Sequence, residues 1–144
     1  MTLFVGPGDL PHVRAHATGR WAEILFRALS TRVASRWQFM SFRGGKKGEW
    51  RGVVDLLAIR KDTSAPIAAQ LKRGDLFEII LVQVKGGSAP APTREDCVRL
   101  KAVAKYHRAK AIVLFEWQKG KVSRFSKLSL RLQWEPTTAR ELFE

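Results

Sequence analysis

The chain has 144 residues, 45% of them apolar, and its 26 Lys and Arg against 13 Asp and Glu give a net charge of +13. That length suits one domain with a real core and excludes two ordinary ones, and the apolar fraction excludes a wholly disordered chain. So large a positive surplus on a small domain points to a polyanionic partner, nucleic acid before an acidic membrane, although basic composition alone also serves solubility. Cys97 is the only cysteine, so no intramolecular disulfide can form, and a reducing, cytoplasmic setting is expected. No apolar run reaches membrane-spanning length, and the first residues lack the charged-then-apolar pattern of a signal segment, so no membrane partner is expected.

Residues 1–17, with Gly6, Pro7, Gly8 and Pro11, read as an irregular arm. His12 and His16 lie in it with only Asp9 nearby, so surface histidines explain them better than a metal site. Thr18 is placed to cap a helix running to about Ser35, with Trp21, Leu25, Ala28, Leu29 and Val33 as its buried stripe. Glu23 falls to the side of that stripe, and its i, i+4 spacing to Arg27 suits a solvated ion pair. Residues 37–42 alternate as a first strand. Arg43-Gly44-Gly45-Lys46-Lys47-Gly48 follows, a basic, glycine-rich loop. It reads either as a flexible hairpin turn or as a contact to a phosphate backbone, where glycines allow close approach. It is not a P-loop, because no strand–GxxxxGK[ST]–helix context surrounds it.

Residues 50–59 form a second strand that holds one acidic residue, Asp55, within an apolar run. An aspartate there is costly unless it is paired, hydrogen-bonded or bound to a metal. Residues 60–75 are polar and loop-like, with one helical turn or a strand extension over Ile67 to Lys72. Phe77 to Gly87 is a third, buried strand whose alternation sends Gln83 and Lys85 to one face and Glu78 to the other. A Gly/Pro-rich loop leads to a helix from about Arg94 to Arg108, capped by Thr93 and Asp96. Cys97, Leu100, Val103 and Ala104 form its inward stripe, which makes Cys97 a buried, inert thiol. Arg94, Lys101, Lys105 and Arg108 occupy its other faces. Residues 110–117 are a fourth buried strand, and Lys119-Gly120-Lys121 is a turn. Strands are then expected over 122–125 and 128–134, and a short last helix capped by Thr137 or Thr138.

This order, α-β-β-β-α-β with a β-rich tail, predicts an α/β domain over residues 1–144: an arm (1–17), a core (18–117) with a mixed central sheet flanked by helices, and a C-terminal extension (118–144). No GxGxxG follows a strand, so a doubly wound dinucleotide fold is not indicated. No serine sits on a nucleophile elbow, and His107 is the only histidine outside the arm, so serine–histidine catalysis is unsupported.

Gly52-Val53-Val54-Asp55-Leu56-Leu57-Ala58 followed by Val82-Gln83-Val84-Lys85-Gly86 resembles the PD-(D/E)xK nuclease superfamily, in particular its archaeal Holliday-junction resolvase and VRR-NUC-like branches. The resemblance covers about residues 18 to 117 and rests on the order of a helix with Glu, a strand with Asp, a strand with (D/E)-x-K, a helix and a further strand. Two positions depart from the pattern: Val54 stands where Pro is usual, and Gln83 stands where the acidic residue precedes x-K.

The resemblance implies a restriction-endonuclease-like fold and Mg²⁺-dependent DNA endonuclease activity on branched or structured DNA, with Mn²⁺ as a possible substitute cofactor. It assigns catalytic roles to Asp55, Gln83, Lys85 and the helix residue Glu23. Asp55, Gln83 and the backbone carbonyl of Val84 would hold the metal, whose preference is for oxygen ligands. Lys85 would sit beside the attacking water. Gln83 offers an amide oxygen without charge, so a carboxylate from Glu95, Asp96 or Glu23 is a candidate substitute, although Glu95 and Asp96 also suit a helix N-terminus as they stand. Candidate phosphate contacts are Arg43, Lys46, Lys47, Arg94 and Lys101. Resolvase-like relatives act as dimers, so a homodimer is expected. The rival readings are a nucleic-acid-binding domain on the same fold with a decayed site, and a basic structural protein that binds RNA in a larger particle.

Overall fold

A computed structural model describes residues 22–32, 36–42, 52–64, 70–87 and 89–144. The arm with His12 and His16, the helix positions Thr18, Trp21 and Val33, the loop with Arg43, Lys46 and Lys47, and Ile67 to Ala69 lie outside the described residues.

The elements in chain order are α1 (22–31), β1 (Gln38–Ser41), β2 (Leu56–Lys61), β3 (Phe77–Gly86), α2 (Arg94–His107), β4 (Ala111–Trp117), β5 (Arg124–Leu128), β6 (Trp134–Thr137) and α3 (Ala139–Phe143). The six strands form one mixed sheet whose spatial order follows the sequence. Neighbours are antiparallel except β3 and β4, which run parallel. A parallel pair needs a crossover, and α2 supplies it.

Alternation along the strands sorts the core into two layers. Leu56, Ala58, Ile80, Val82, Val84, Val113 and Phe115 face Ala22 and Phe26 of α1 and Leu142 and Phe143 of α3. Leu81 and Ile112 face Cys97, Leu100 and Ala104 of α2 on the opposite side. Covered on both faces, β3 can be apolar at nearly every position, which is why its sequence shows an unbroken run. Phe26 is fully buried, with the rings of Phe39 and Phe115 at 5.5 Å, Phe125 at 5.9 Å and Phe143 at 6.1 Å. One side chain thus ties α1 to β1, β4, β5 and α3. The Trp37 indole N–H donates to the Phe143 carbonyl at 3.0 Å, which closes the C-terminus onto the start of the sheet. Arg60 lies 4.4 Å over the Trp37 ring and bonds Glu78 on the adjacent strand.

Three expectations are corrected. On α1 the fully buried positions are Ala22, Glu23, Phe26 and Ser30; of the expected stripe Leu25 and Leu29 pack half-buried against the core, whereas Ala28 is exposed. The large apolar area of Phe26 decides which face turns inward, and this rotates Glu23 onto a buried flank instead of solvent. Arg27 makes no ion pair with it among the described residues. Asp55 stands just before β2 and not inside it. In the extension, 128–134 is not a strand: Ser129 to Gln133 make a turn closed by Ser129 N–H to Gln133 O at 2.8 Å and Leu132 N–H to Ser129 O at 3.1 Å, with Leu132 left-handed at φ 62°. The alternation of Leu128, Leu130 and Leu132 imitates a strand, but Leu130 is fully solvent-facing and only its neighbours pack.

Candidate functional site

Register brings the two sequence-predicted strand residues together. Leu56 pairs with Val82, so Asp55 falls opposite Gln83, at the end of the β2–β3 ladder. Asp55 N–H still donates to the Val82 carbonyl at 3.0 Å, and Phe42 N–H donates to the Asp55 carbonyl at 3.2 Å. The next ladder donor, Val84 N–H, is taken by the Asp55 side chain, whose Oδ2 accepts it at 2.8 Å. The Asp55 backbone is thus bonded on both sides, and its carboxylate is held by Val84 N–H of β3. A residue's N–H and C=O leave a strand on the same side, so the Val84 carbonyl faces the same edge as Asp55.

Gln83 is 6% exposed, and its Oε1 has no hydrogen-bond partner among the described residues. An amide oxygen buried without a partner costs about 1–3 kcal/mol, so a ligand able to satisfy it would be favoured here. Lys85 lies two residues on and, by alternation, on the same face, half-buried near the strand's exit. Asp55 immediately precedes β2, and Gln83 and Lys85 lie on the adjacent strand β3.

The start of α2 lies near enough to Lys85 for that charge to act on Asp96. Thr93 and Asp96 form the expected capping box: Asp96 N–H donates to Thr93 Oγ1 at 3.1 Å, and Thr93 N–H donates to Asp96 Oδ2 at 3.0 Å. The Thr93 backbone N–H, with lesser help from the Thr93 hydroxyl and the charges of Lys85 and Arg99, holds the Asp96 carboxyl below the ordinary aspartate value. Asp96 is engaged in capping, and Glu95 is exposed on the first turn. The parallel register also sets Glu116 of β4 beside Lys85 on the same face, with Arg124 3.6 Å from its carboxylate. Glu116 escaped the sequence reading because only the β3–β4 register reveals the neighbour.

Glu23 is 6% exposed and accepts a hydrogen bond from Ser41 Oγ at 2.6 Å. Ser41 pairs with Leu56, the residue after Asp55. Glu23 thus reaches the same end of the sheet, but from the α1 side, and no hydrogen bond joins it to Asp55 among the described residues. Of the predicted phosphate contacts, Arg94 is exposed on the first turn of α2, near the site. Lys101 lies two turns on. Cys97 is buried against the sheet, and burial pushes its thiol up, as expected of an inert cysteine.

Asp55, Gln83 and the Val84 carbonyl each offer oxygen of the kind Mg²⁺ takes, at neighbouring positions on β3 and just before β2. These donors include a single carboxylate, and no group of three His, Cys, Asp or Glu side chains converges among the described residues. Among those residues no helix is long and apolar enough to cross a membrane. In comparisons with known proteins, the chain matches no protein-family model and no curated protein.

Proposed function

We propose that the chain is a restriction-endonuclease-like, Mg²⁺-dependent DNA endonuclease of the PD-(D/E)xK type, acting on branched or structured DNA. The observation that carries this reading is the Asp55 carboxylate, held by Val84 N–H, opposite the buried Gln83 oxygen that has no partner among the described residues, with Lys85 on the same face. When bound there, the metal would supply a nucleophilic water and neutralise phosphate oxygens. Asp55, Gln83 and the Val84 carbonyl would hold it. Lys85 Nζ would lie beside the attacked phosphate, orient the water by hydrogen bonding and offset the charge that builds on the phosphate oxygens. The water gives up one proton to solvent as its oxygen forms the new P–O bond, one ester P–O bond breaks, and the leaving alkoxide takes up a proton from solvent, so that water and diester give a monoester and an alcohol. A junction presents two symmetric strands, so the active form would be a two-fold dimer using one self-complementary patch. The single buried cysteine fits a cytoplasmic setting.

A second reading keeps the fold and the DNA but drops hydrolysis. It is favoured by the uncharged Gln83 at the usual acidic position and by the single carboxylate in the donor set. Incubating plasmid, four-way-junction DNA and structured RNA with the protein in Mg²⁺ or Mn²⁺ separates the readings. Cleavage of junction DNA that EDTA abolishes is the expected result. Salt-sensitive binding without cleavage would leave the binding module, and a preference for RNA would remove both DNA readings.

A further inference from the structure

At the far end of α2 from the candidate site lies an open groove of about 890 Å³. Its walls carry six cations, Lys101 and Lys105 from α2, Arg108 and Lys110 from the α2–β4 connection, Lys127 from β5 and Arg131 from the β5–β6 turn, and one carboxylate, Glu135. Lys110 has Glu78 at 3.8 Å. The other five cations have no carboxylate within salt-bridge reach among the described residues.

The ordinary explanation for cations here is the helix dipole, which favours positive charge at a helix C-terminus. That explains Lys105 and Arg108. It does not explain Lys127 and Arg131, which come from another part of the sheet and add positive charge to the same groove. Their placement is fixed. Ser129 Oγ accepts Arg131 N–H at 3.2 Å and Gln133 N–H at 3.1 Å, so the turn is closed from within. Leu132 and Trp134 pack on the cluster formed by Cys97, Leu100 and Ala104, which locks the turn to α2. Five like charges held together without partners repel one another, and an anion would relieve that cost.

We propose that this groove holds the sugar–phosphate backbone of duplex DNA. Lys101 and Lys105 follow i, i+4 spacing on α2, and Arg108, the left-handed C-cap just past its end, adds a third cation beyond them. Such a row matches a run of successive phosphates better than a single small anion, because duplex DNA carries a negative charge about every 1.7 Å of its axis. Asp96 and Lys105 are about 14 Å apart along the helix, so the groove is separate from the Asp55–Lys85 site. It does not rest on the nuclease reading, because a pure binding module would use it equally.

The test is fluorescence anisotropy with a labelled duplex in EDTA, over about 50 to 200 mM salt. The triple variant Lys105→Gln/Lys127→Gln/Arg131→Gln removes one exposed charge from each element. It should bind roughly tenfold more weakly or worse at low salt, with the slope of log K against log salt shallower by about 2.7. Arg32→Gln/Arg36→Gln/Arg140→Gln removes the same charge from exposed positions away from the groove and should keep the parent's slope. Circular dichroism checks that both variants fold. Equal behaviour of the two triples, parent-like binding by the groove triple, or a parent that binds anionic vesicles but no duplex would overturn the proposal. Because EDTA removes any divalent metal, the outcome is read independently of whether the chain cleaves DNA.

Discussion

Gln83 is the residue at which stability and function part. If its buried oxygen serves no ligand, it is a pure cost, and an apolar side chain of similar shape should suit the position better. Gln83→Met should therefore stabilise the fold by about 1 kcal/mol, since removing a buried unsatisfied group recovers its desolvation penalty, while weakening divalent binding; denaturant midpoints and a Mn²⁺ titration measure the two effects. Loss of stability with unchanged metal binding would instead make Gln83 a packing residue. Gln83→Glu restores one negative charge beside a divalent ion, an interaction of several kcal/mol even at an effective dielectric near 20. It should lower the divalent concentration needed for half-maximal cleavage by an order of magnitude or more. If a carboxylate from Glu23, Glu95 or Asp96 already fills that role, Gln83→Glu will do little, and the Glu→Gln or Asp→Asn change at that residue will be the damaging one.

At the scale of elements, α2 is the piece whose integrity the site most needs, because its first turn lies beside Lys85. Thr93→Ala removes the cap and should cost about 1 kcal/mol, read as a lower denaturant midpoint. The Asp96 half of the cap has a pH signature. Its folded-state value is depressed, so its contribution is fully present above the ordinary aspartate value and is lost as pH falls through the lower folded value. Asp96→Asn should flatten that acid limb of the stability curve, and an unchanged limb would show that other carboxylates set it. On α1, Phe26→Ala should cost about 3–5 kcal/mol as a large buried aromatic. A cost under about 1 kcal/mol would show that the surrounding rings do not depend on it.

What the sequence made legible follows from the same physics. β3, β4 and α2 were readable almost to the residue, because a doubly covered strand is continuously apolar and Thr93–Asp96 is a local cap signal. The same periodicity set Gln83 and Lys85 on one face. It was only partly right on α1, where Leu25 and Leu29 pack on the core but Phe26 is the fully buried centre, and it failed over 128–134, where three leucines at alternate positions disguised a turn organised by Ser129. Long-range neighbours were out of reach. Nothing local could pair Ser41 with Glu23 or set Glu116 beside Lys85. Lys101, Lys105 and Arg108 were visible as helix-face charges, but their convergence with Lys127 and Arg131 depends on how β5 and β6 return along α2.

For the whole molecule, a net charge of +13 makes nucleic-acid association strongly salt-dependent and renders affinities meaningful only at a stated ionic strength. Assembly is the second global property. Light scattering at micromolar concentration should show a dimer, with or without junction DNA; monomer under both conditions would rule out the two-fold arrangement. The central claim is that Asp55, Gln83 and Lys85 make a metal-dependent phosphodiesterase site. Its most direct measurement is single-turnover cleavage of a four-way junction by the parent, Asp55→Asn and Lys85→Met across Mg²⁺ and Mn²⁺ titrations, with DNA binding measured in parallel. Asp55→Asn keeps an oxygen able to accept Val84 N–H, and circular dichroism checks that the variant keeps the fold. The expected result is EDTA-sensitive cleavage by the parent, loss of cleavage in both variants and binding that survives in both. A parent that binds the junction but cuts nothing in either metal, or an Asp55→Asn variant that cuts as well as the parent, would contradict it.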